Sequence, residues 1–181
     1  LNSIEEVRWA MKTKCSGCGE VHDIENMDIV FDYPHEMSSM AEDMRSERCA
    51  YTSDICVIDM ERYLIRGVVQ ISVLEDKRYW GIGAWAQVSE KNFLRYKELW
   101  SDEKQGLEPP FKATFANLMP IEDYPSTLGM SCEVRLTAID SRPKIILTDM
   151  DHLLAKEQSD GIASAKVIHL LHRFTEGSRR A

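Results

Sequence analysis

The chain has 181 residues, 44% hydrophobic and 29% charged, a balance that excludes disorder as the default and allows a core without disulfide staples. Its 30 acidic residues against 22 Lys and Arg leave a net charge of −8, a field that repels phosphate and disfavours nucleic-acid binding. No signal-peptide pattern or membrane-length apolar run is found, so a cytoplasmic protein without membrane attachment is expected.

In chain order, Ser3 and Glu6 have capping-box spacing, and Ile4, Val7 and Met11 follow on one face, predicting a helix over 3–13. The stretch 14–22, with Gly17 and Gly19, has the composition of a tight knuckle. Residues 28–33 alternate as a short strand that Pro34 ends. Met37, Met40 and Met44 recur at helical spacing within 35–50, predicting one short amphipathic helix. Strands are expected at 55–59, at 62–74 with Val69, Ile71 and Val73 on one face, and at 79–88. The clearest helix spans 90–100: Ser89 suits the N-cap, Glu90 the first turn, and Phe93, Tyr96 and Trp100 make an aromatic stripe. A charged loop covers 101–110 and a strand 111–117. Residues 131–139 alternate, with Cys132, Val134, Leu136 and Ala138 facing one way. A short gap around Asp140 and Ser141 suits a hairpin into a strand over 144–148. Helices follow at 152–158 and 163–174, separated by Gly161, the second with Ile168, Leu171 and Phe174 inward.

Strands cluster centrally without β-α alternation. The expectation is an α+β fold: a central antiparallel or mixed sheet, helices mainly on one face, and an N-terminal zinc-knuckle-like turn. The expected organisation is an N-terminal extension over 1–13, a single domain over 14–174 and a flexible tail over 175–181.

Five cysteines (Cys15, Cys18, Cys49, Cys56, Cys132), odd in number and unevenly spaced, argue against a disulfide framework. Cys15 and Cys18, three positions apart in a glycine-bearing turn, can bite one tetrahedral ion. A structural zinc needs two more ligands, available from Cys49, Cys56 or a histidine such as His22. The plain alternative is a pair of free thiols. A thioredoxin-like pair would want a helix starting at the second cysteine, whereas Gly19 follows Cys18. Cys132, on an apolar strand face, is expected in the core.

Four blocks carry a resemblance: 14–22; 53–59 with Ile65-Arg66-Gly67; 85–93 with Arg95-Tyr96; and 151–155 with Glu157-Gln158 and Gly161-Ile162. Together they resemble a bacterial family known only as domain of unknown function 2199. Leu153 departs from the proline expected after the histidine, which puts the turn there in doubt. The resemblance implies a compact bacterial domain and no particular activity. It favours Cys56 over Cys49 as third ligand, making the expected zinc set Cys15, Cys18, Cys56 and His22.

Other clusters carry weaker chemistry. His152 beside Asp149, Asp151 and Glu157 can be drawn as a general base, but an aspartate capping a helix near 152 explains the pattern more simply. His169 and His172 are spaced for one metal, yet lie in an ordinary amphipathic helix. Asp59 suits a turn, and Trp80, Trp85, Phe93, Tyr96 and Trp100 suit a core better than a ligand groove. No catalytic residue is assigned, and enzymatic activity is not expected. The leading expectation is a noncatalytic, zinc-stabilised module that binds a protein partner, of the kind that neutralises a toxin. The alternatives are a hydrolase-like metalloenzyme with an open zinc site and an acid or base such as His22 or Asp54, and a zinc-ribbon nucleic-acid binder, which the charge disfavours.

Overall fold

The computed structural model describes the backbone of residues 12–14, 19, 21–23, 28–75 and 78–178, and the side chains of 28–75 and 78–174. Its strands are β1 (Lys12–Lys14), β2 (Val21–Asp23), β3 (Ile29–Val30), β4 (Cys49–Tyr51), β5 (Ile55–Ile58), β6 (Arg62–Ser72), β7 (Tyr79–Val88), β8 (Phe111–Phe115), β9 (Ser131–Arg135) and β10 (Lys144–Leu147). The helices are α1 (His35–Ser38), α2 (Glu42–Arg48), α3 (Glu90–Glu98), α4 (Leu153–Asp160) and α5 (Ser164–Ser178), with a 3₁₀ turn at Gln105–Leu107.

Alternation explains the architecture. Ile65, Val69 and Ile71 of β6 share a face with Trp80, Ile82, Ala84, Ala86 and Val88 of β7. Phe111 and Phe115 of β8, Cys132 and Val134 of β9, and Ile145 and Leu147 of β10 complete that core. β6 to β10 run as an antiparallel meander, and β10 then pairs parallel with β6 through Lys144 and Val68. The sheet therefore closes on itself as a five-stranded barrel, with β3 added beside β7 and β5 and β4 beside β6. This corrects the expectation of a sheet with helices mainly on one face. Periodicity tells which side of a strand is buried, but not that the first and last strands meet.

Closure depends on Gly67. Here β6 changes partner: Arg66 N donates to Asp54 O at 2.9 Å, and Val68 N donates to Pro143 O at 2.9 Å. β7 is buried on both faces because residues 31–51 cover its outside. There Met37, Met40, Cys56, Ile58, Leu64 and Trp85 form a second, smaller core.

The covering segment differs from its prediction. Instead of one helix over 35–50, α1 and α2 are separated at 39–41 and β4 begins at Cys49. Ser38 Oγ donates to Pro34 O and Ser39 Oγ to Glu36 O, local bonds that compete with helix continuation. The break buries Met37 and Met40 and leaves Met44 exposed. Strand β1 occupies 12–14, so the helix expected over 3–13 does not reach its predicted end; the earlier part lies outside the described residues. Strand β9 stops at Arg135, and the alternation beyond it leaves Leu136 buried and Ala138 exposed in the connection. Ser89 caps α3 as expected, its Oγ accepting from Asn92 N at 3.2 Å.

The β5–β6 turn places Asp59 and Met60 at φ 53° and 55°, and Asp59 bridges two arginines there. Arg48 Nε donates to Asp59 Oδ1 at 2.8 Å and Arg62 Nη2 to Asp59 Oδ2 at 2.7 Å, while Glu36 pairs with both arginines. The Arg48 hydrogen bond foremost, with Arg62 assisting, holds the Asp59 carboxyl down at about 2 from an ordinary 3.8. A depressed carboxylate contributes stability above its unfolded value and loses it as pH falls through the folded one. Asn tolerates the left-handed backbone, so Asp59→Asn removes the charge alone. In acid titration the native protein is expected to lose its advantage over Asp59→Asn between pH 3.8 and about 2. Parallel stability profiles would show that the ion pairs contribute nothing.

Candidate functional site

The outer end of the barrel carries a cleft of about 400 Å³, lined by Asp54, Tyr96, Trp100, Gln105, Ile139, Asp140, Ser141 and Arg142. Four chain segments build it. In the turn between β4 and β5, Thr52 Oγ1 accepts from Asp54 N and Ile55 N at 3.1 and 3.2 Å, which fixes the aspartate's position. Helix α3 contributes Tyr96, packed inward with Phe93 and Leu99, and its end is followed by Trp100. The 3₁₀ turn contributes Gln105, and the β9–β10 connection contributes Ile139–Arg142, tied by Thr137 Oγ1 donating to Arg142 O at 3.2 Å.

Within the cleft, Arg142 Nε donates to Asp54 Oδ1 at 2.9 Å, and Ser53 Oγ donates to Asp54 Oδ2. Burial acts to raise the Asp54 carboxyl, but these two hydrogen bonds and the Arg142 and Arg66 charges outweigh it, and the net shift is downward. Arg66 stands behind Asp54, over the Trp85 ring at 5.8 Å, its Nη1 donating to Ser53 O at 3.3 Å. Burial foremost, with the Asp54 charge assisting, pushes the Tyr96 hydroxyl up to about 12, so it stays protonated. Trp100 packs edge-on against Tyr96 at 5.4 Å between ring centroids and is 46% exposed. Gln105 is only 4% exposed, yet its amide makes no hydrogen bond among the described residues; the Tyr96 hydroxyl makes none either. Neither polar end is sealed from solvent. Here both groups open onto the cleft.

The predicted zinc ligands are placed as follows. Cys15 and Cys18 lie outside the described residues. His22 is on β2, whose antiparallel pairing with β1 sets it opposite Thr13 and Val21 opposite Lys14. Cys56 is fully buried in the second core, its Sγ 3.9 Å from Met37 Sδ, and burial pushes its thiol up to about 12. Cys49 is partly buried, with its Sγ 3.9 Å from Met40 Sδ. Cys132 is in the barrel core, as expected, and burial pushes it up to about 12. Among the described residues no three Cys, His, Asp or Glu side chains converge where they could hold a metal ion.

His152 is itself the N-cap of α4, a correction to the expectation that Asp149 or Asp151 caps and His152 lies in the first turn. Leu154 N donates to His152 Nδ1 at 3.1 Å, while Nε2 lies 3.2 Å from Pro125 O. Those partners require a bare Nδ1 and a protonated Nε2, so both ring nitrogens are occupied and neither serves as a base. Leu153 is the first helical residue, a position where proline's missing N–H would cost no bond. Glu157 is buried, accepting from Tyr124 Oη at 2.5 Å and paired with Lys166. Burial and the Glu157 bond raise the Tyr124 hydroxyl well above its usual range. His169 is half-exposed and pairs with Asp123 at 3.1 Å.

Asp54, Tyr96 and Trp100 stand out in the sequence, whereas Gln105, Ser141 and Arg142 carry no signal of a site. Gln105 sits in a charged loop, and nothing in its neighbours signals that it turns inward. Trp80, Trp85, Phe93 and Tyr96 are core as expected, Tyr96 also reaching the cleft, whereas Trp100 is half-exposed at its rim.

The closed barrel, its covering helices and its polar cleft define an α+β barrel protein. The family model described as an uncharacterized protein conserved in bacteria, domain of unknown function 2199, matches residues 14–162, and the chain belongs to that family. No curated protein and no solved structure matches the chain. Among the described residues no helix is long and apolar enough to cross a membrane.

Proposed function

We propose that the protein is a noncatalytic binding domain whose ligand site is the cleft between α3 and the β9–β10 connection. One observation carries the reading: Gln105 packs with only 4% of its surface exposed, and its amide, unbonded among the described residues, opens to solvent in the cleft. Its stem is packed while its polar end is left to the cleft, where it offers two donors and an acceptor to a ligand. Binding is favoured over catalysis because the reactive groups are committed. His152 uses both nitrogens, Glu157 is neutralised by Lys166, and the Cys56 and Cys132 thiols are pushed up to about 12.

The test needs no ligand. Tyr96→Phe and Gln105→Met remove the unbonded polar groups at nearly constant shape. If those groups serve a ligand, stability should stay level or rise by up to about 1 kcal/mol in urea unfolding. A loss above about 1 kcal/mol in both would make them structural and overturn the reading.

A structural zinc at Cys15 and Cys18, with His22 beside them, belongs to the same proposal, and the β1–β2 pairing supports it by bringing the ends of that segment together. Cys56 would join only by losing its proton in an apolar pocket. Elemental analysis is expected to find one zinc per chain that Cys15→Ser abolishes, with loss of stability. Metal-free protein and an unaffected variant would remove zinc from the account. A second reading, a module for a basic protein partner, is favoured by the net charge of −8.

A further inference from the structure

We infer that the cleft takes a neutral, polyhydroxylated ligand, a sugar unit; this rests on the binding reading above and adds the ligand's chemistry. Charge comes first. Asp54, Asp140 and Arg142 all line the cleft, Asp54 is paired with Arg142, and Arg66 stands behind it, so charges of both signs are present. An anion meets Asp54 and Asp140 within a chain of net charge −8, and a cation meets Arg142. Neither is favoured, and a neutral ligand avoids both penalties.

The hydrogen-bonding set points the same way. The Gln105 amide offers two donors and an acceptor, the Tyr96 hydroxyl offers both functions, and Ser141 adds another hydroxyl. Bonded through Nε to one oxygen of Asp54, Arg142 keeps further N–H donors beside that carboxylate. A donor next to an acceptor is the pattern that adjacent hydroxyl groups satisfy. These groups come from different segments around the cleft rather than from one edge. That suits hydroxyls radiating from a saturated ring better than the single polar edge of a flat heterocycle.

The apolar part fits as well. Trp100 is 46% exposed and Ile139 44% exposed, so both offer surface to the C–H faces of a pyranose. The volume of about 400 Å³ is at the small end of ligand sites, enough for one or two rings.

Saturation-transfer difference NMR on the full chain tests this, with D-glucose, D-galactose, D-mannose and N-acetyl-D-glucosamine as neutral probes, and adenine, acetate and butylammonium as contrasts. At least one sugar is expected to receive saturation, and Trp100→Ala and Gln105→Leu are each expected to abolish it while thermal melts show both variants folded. Trp100 is half-exposed, and Gln105→Leu gives a second readout should its removal disturb α3. No sugar signal, or a signal that survives both substitutions, overturns the assignment. Adenine, acetate or butylammonium binding that Gln105→Leu abolishes, without sugar binding, overturns the sugar assignment and leaves the binding reading standing. No probe bound, together with destabilised Tyr96→Phe and Gln105→Met, overturns both.

Discussion

Gly67→Ala is expected to destabilise the protein by about 2–3 kcal/mol, although it adds a single methyl group. A Cβ at this position would lie 2.8 Å from Ile145 Cγ1 and 2.8 Å from Pro143 O. The isoleucine can change rotamer at modest cost. The carbonyl cannot retreat, because Pro143 O accepts from Val68 N at 2.9 Å and that bond helps hold β6 to the β10 side of the barrel. The new methyl must therefore push the seam apart or stay in a forbidden contact. Gly83, also in a barrel strand, is the control: its nearest neighbour would be 3.7 Å away, an ordinary contact. Urea unfolding of Gly67→Ala and Gly83→Ala should show a large loss in the first and a small one in the second. Equal losses would mean that strand propensity, not closure, sets the cost.

Asn117→Ala is expected to cost about 3 kcal/mol, because two buried backbone groups lose their partners together. Asn117 is fully buried; its Oδ1 accepts from Trp85 N at 2.7 Å and its Nδ2 donates to Tyr33 O at 2.9 Å. Its own carbonyl accepts from Thr127 Oγ1 at 2.7 Å, and that oxygen accepts from Met119 N at 2.9 Å. One amide thus fastens the segment before α1 to the outside of β7 and positions the loop after β8. Asn117→Asp keeps the acceptor for Trp85 N but sets a carboxylate against the Tyr33 carbonyl, so it should destabilise as well. A loss below about 1 kcal/mol in Asn117→Ala, measured by chemical unfolding, would mean that water replaces the amide.

The elements were largely legible because their signals are local. Alternation marked β6 and β9, Ser89 marked the start of α3, and Gly161 at φ 90° separates α4 from α5 as its sequence suggested. What was not legible depends on contacts distant in sequence. The barrel seam joins Val68 to Lys144, and neither residue type announces it. The break between α1 and α2 follows from Ser38 and Ser39 bonding back to the chain, a choice that the methionine spacing outweighed. The cleft was the least visible. Its ion pair joins Asp54 to Arg142, and its unbonded amide comes from a loop whose charged residues suggested only solvent. His152 shows a subtler case: the helix start was predicted, but a histidine ring takes the place that aspartate usually fills as cap.

The parallel closure also sets an order on assembly. The hairpins from β6 to β9 join neighbours along the chain, so their pairing encloses comparatively short loops. The seam between β10 and β6 encloses nearly all of that meander and repays its entropy only once the intervening strands are in place. Asp54 immediately precedes β5, which pairs with β6, and Arg142 precedes β10, so these two sides of the cleft approach each other across that same seam. The binding surface is thus a late product of folding, completed when the barrel shuts.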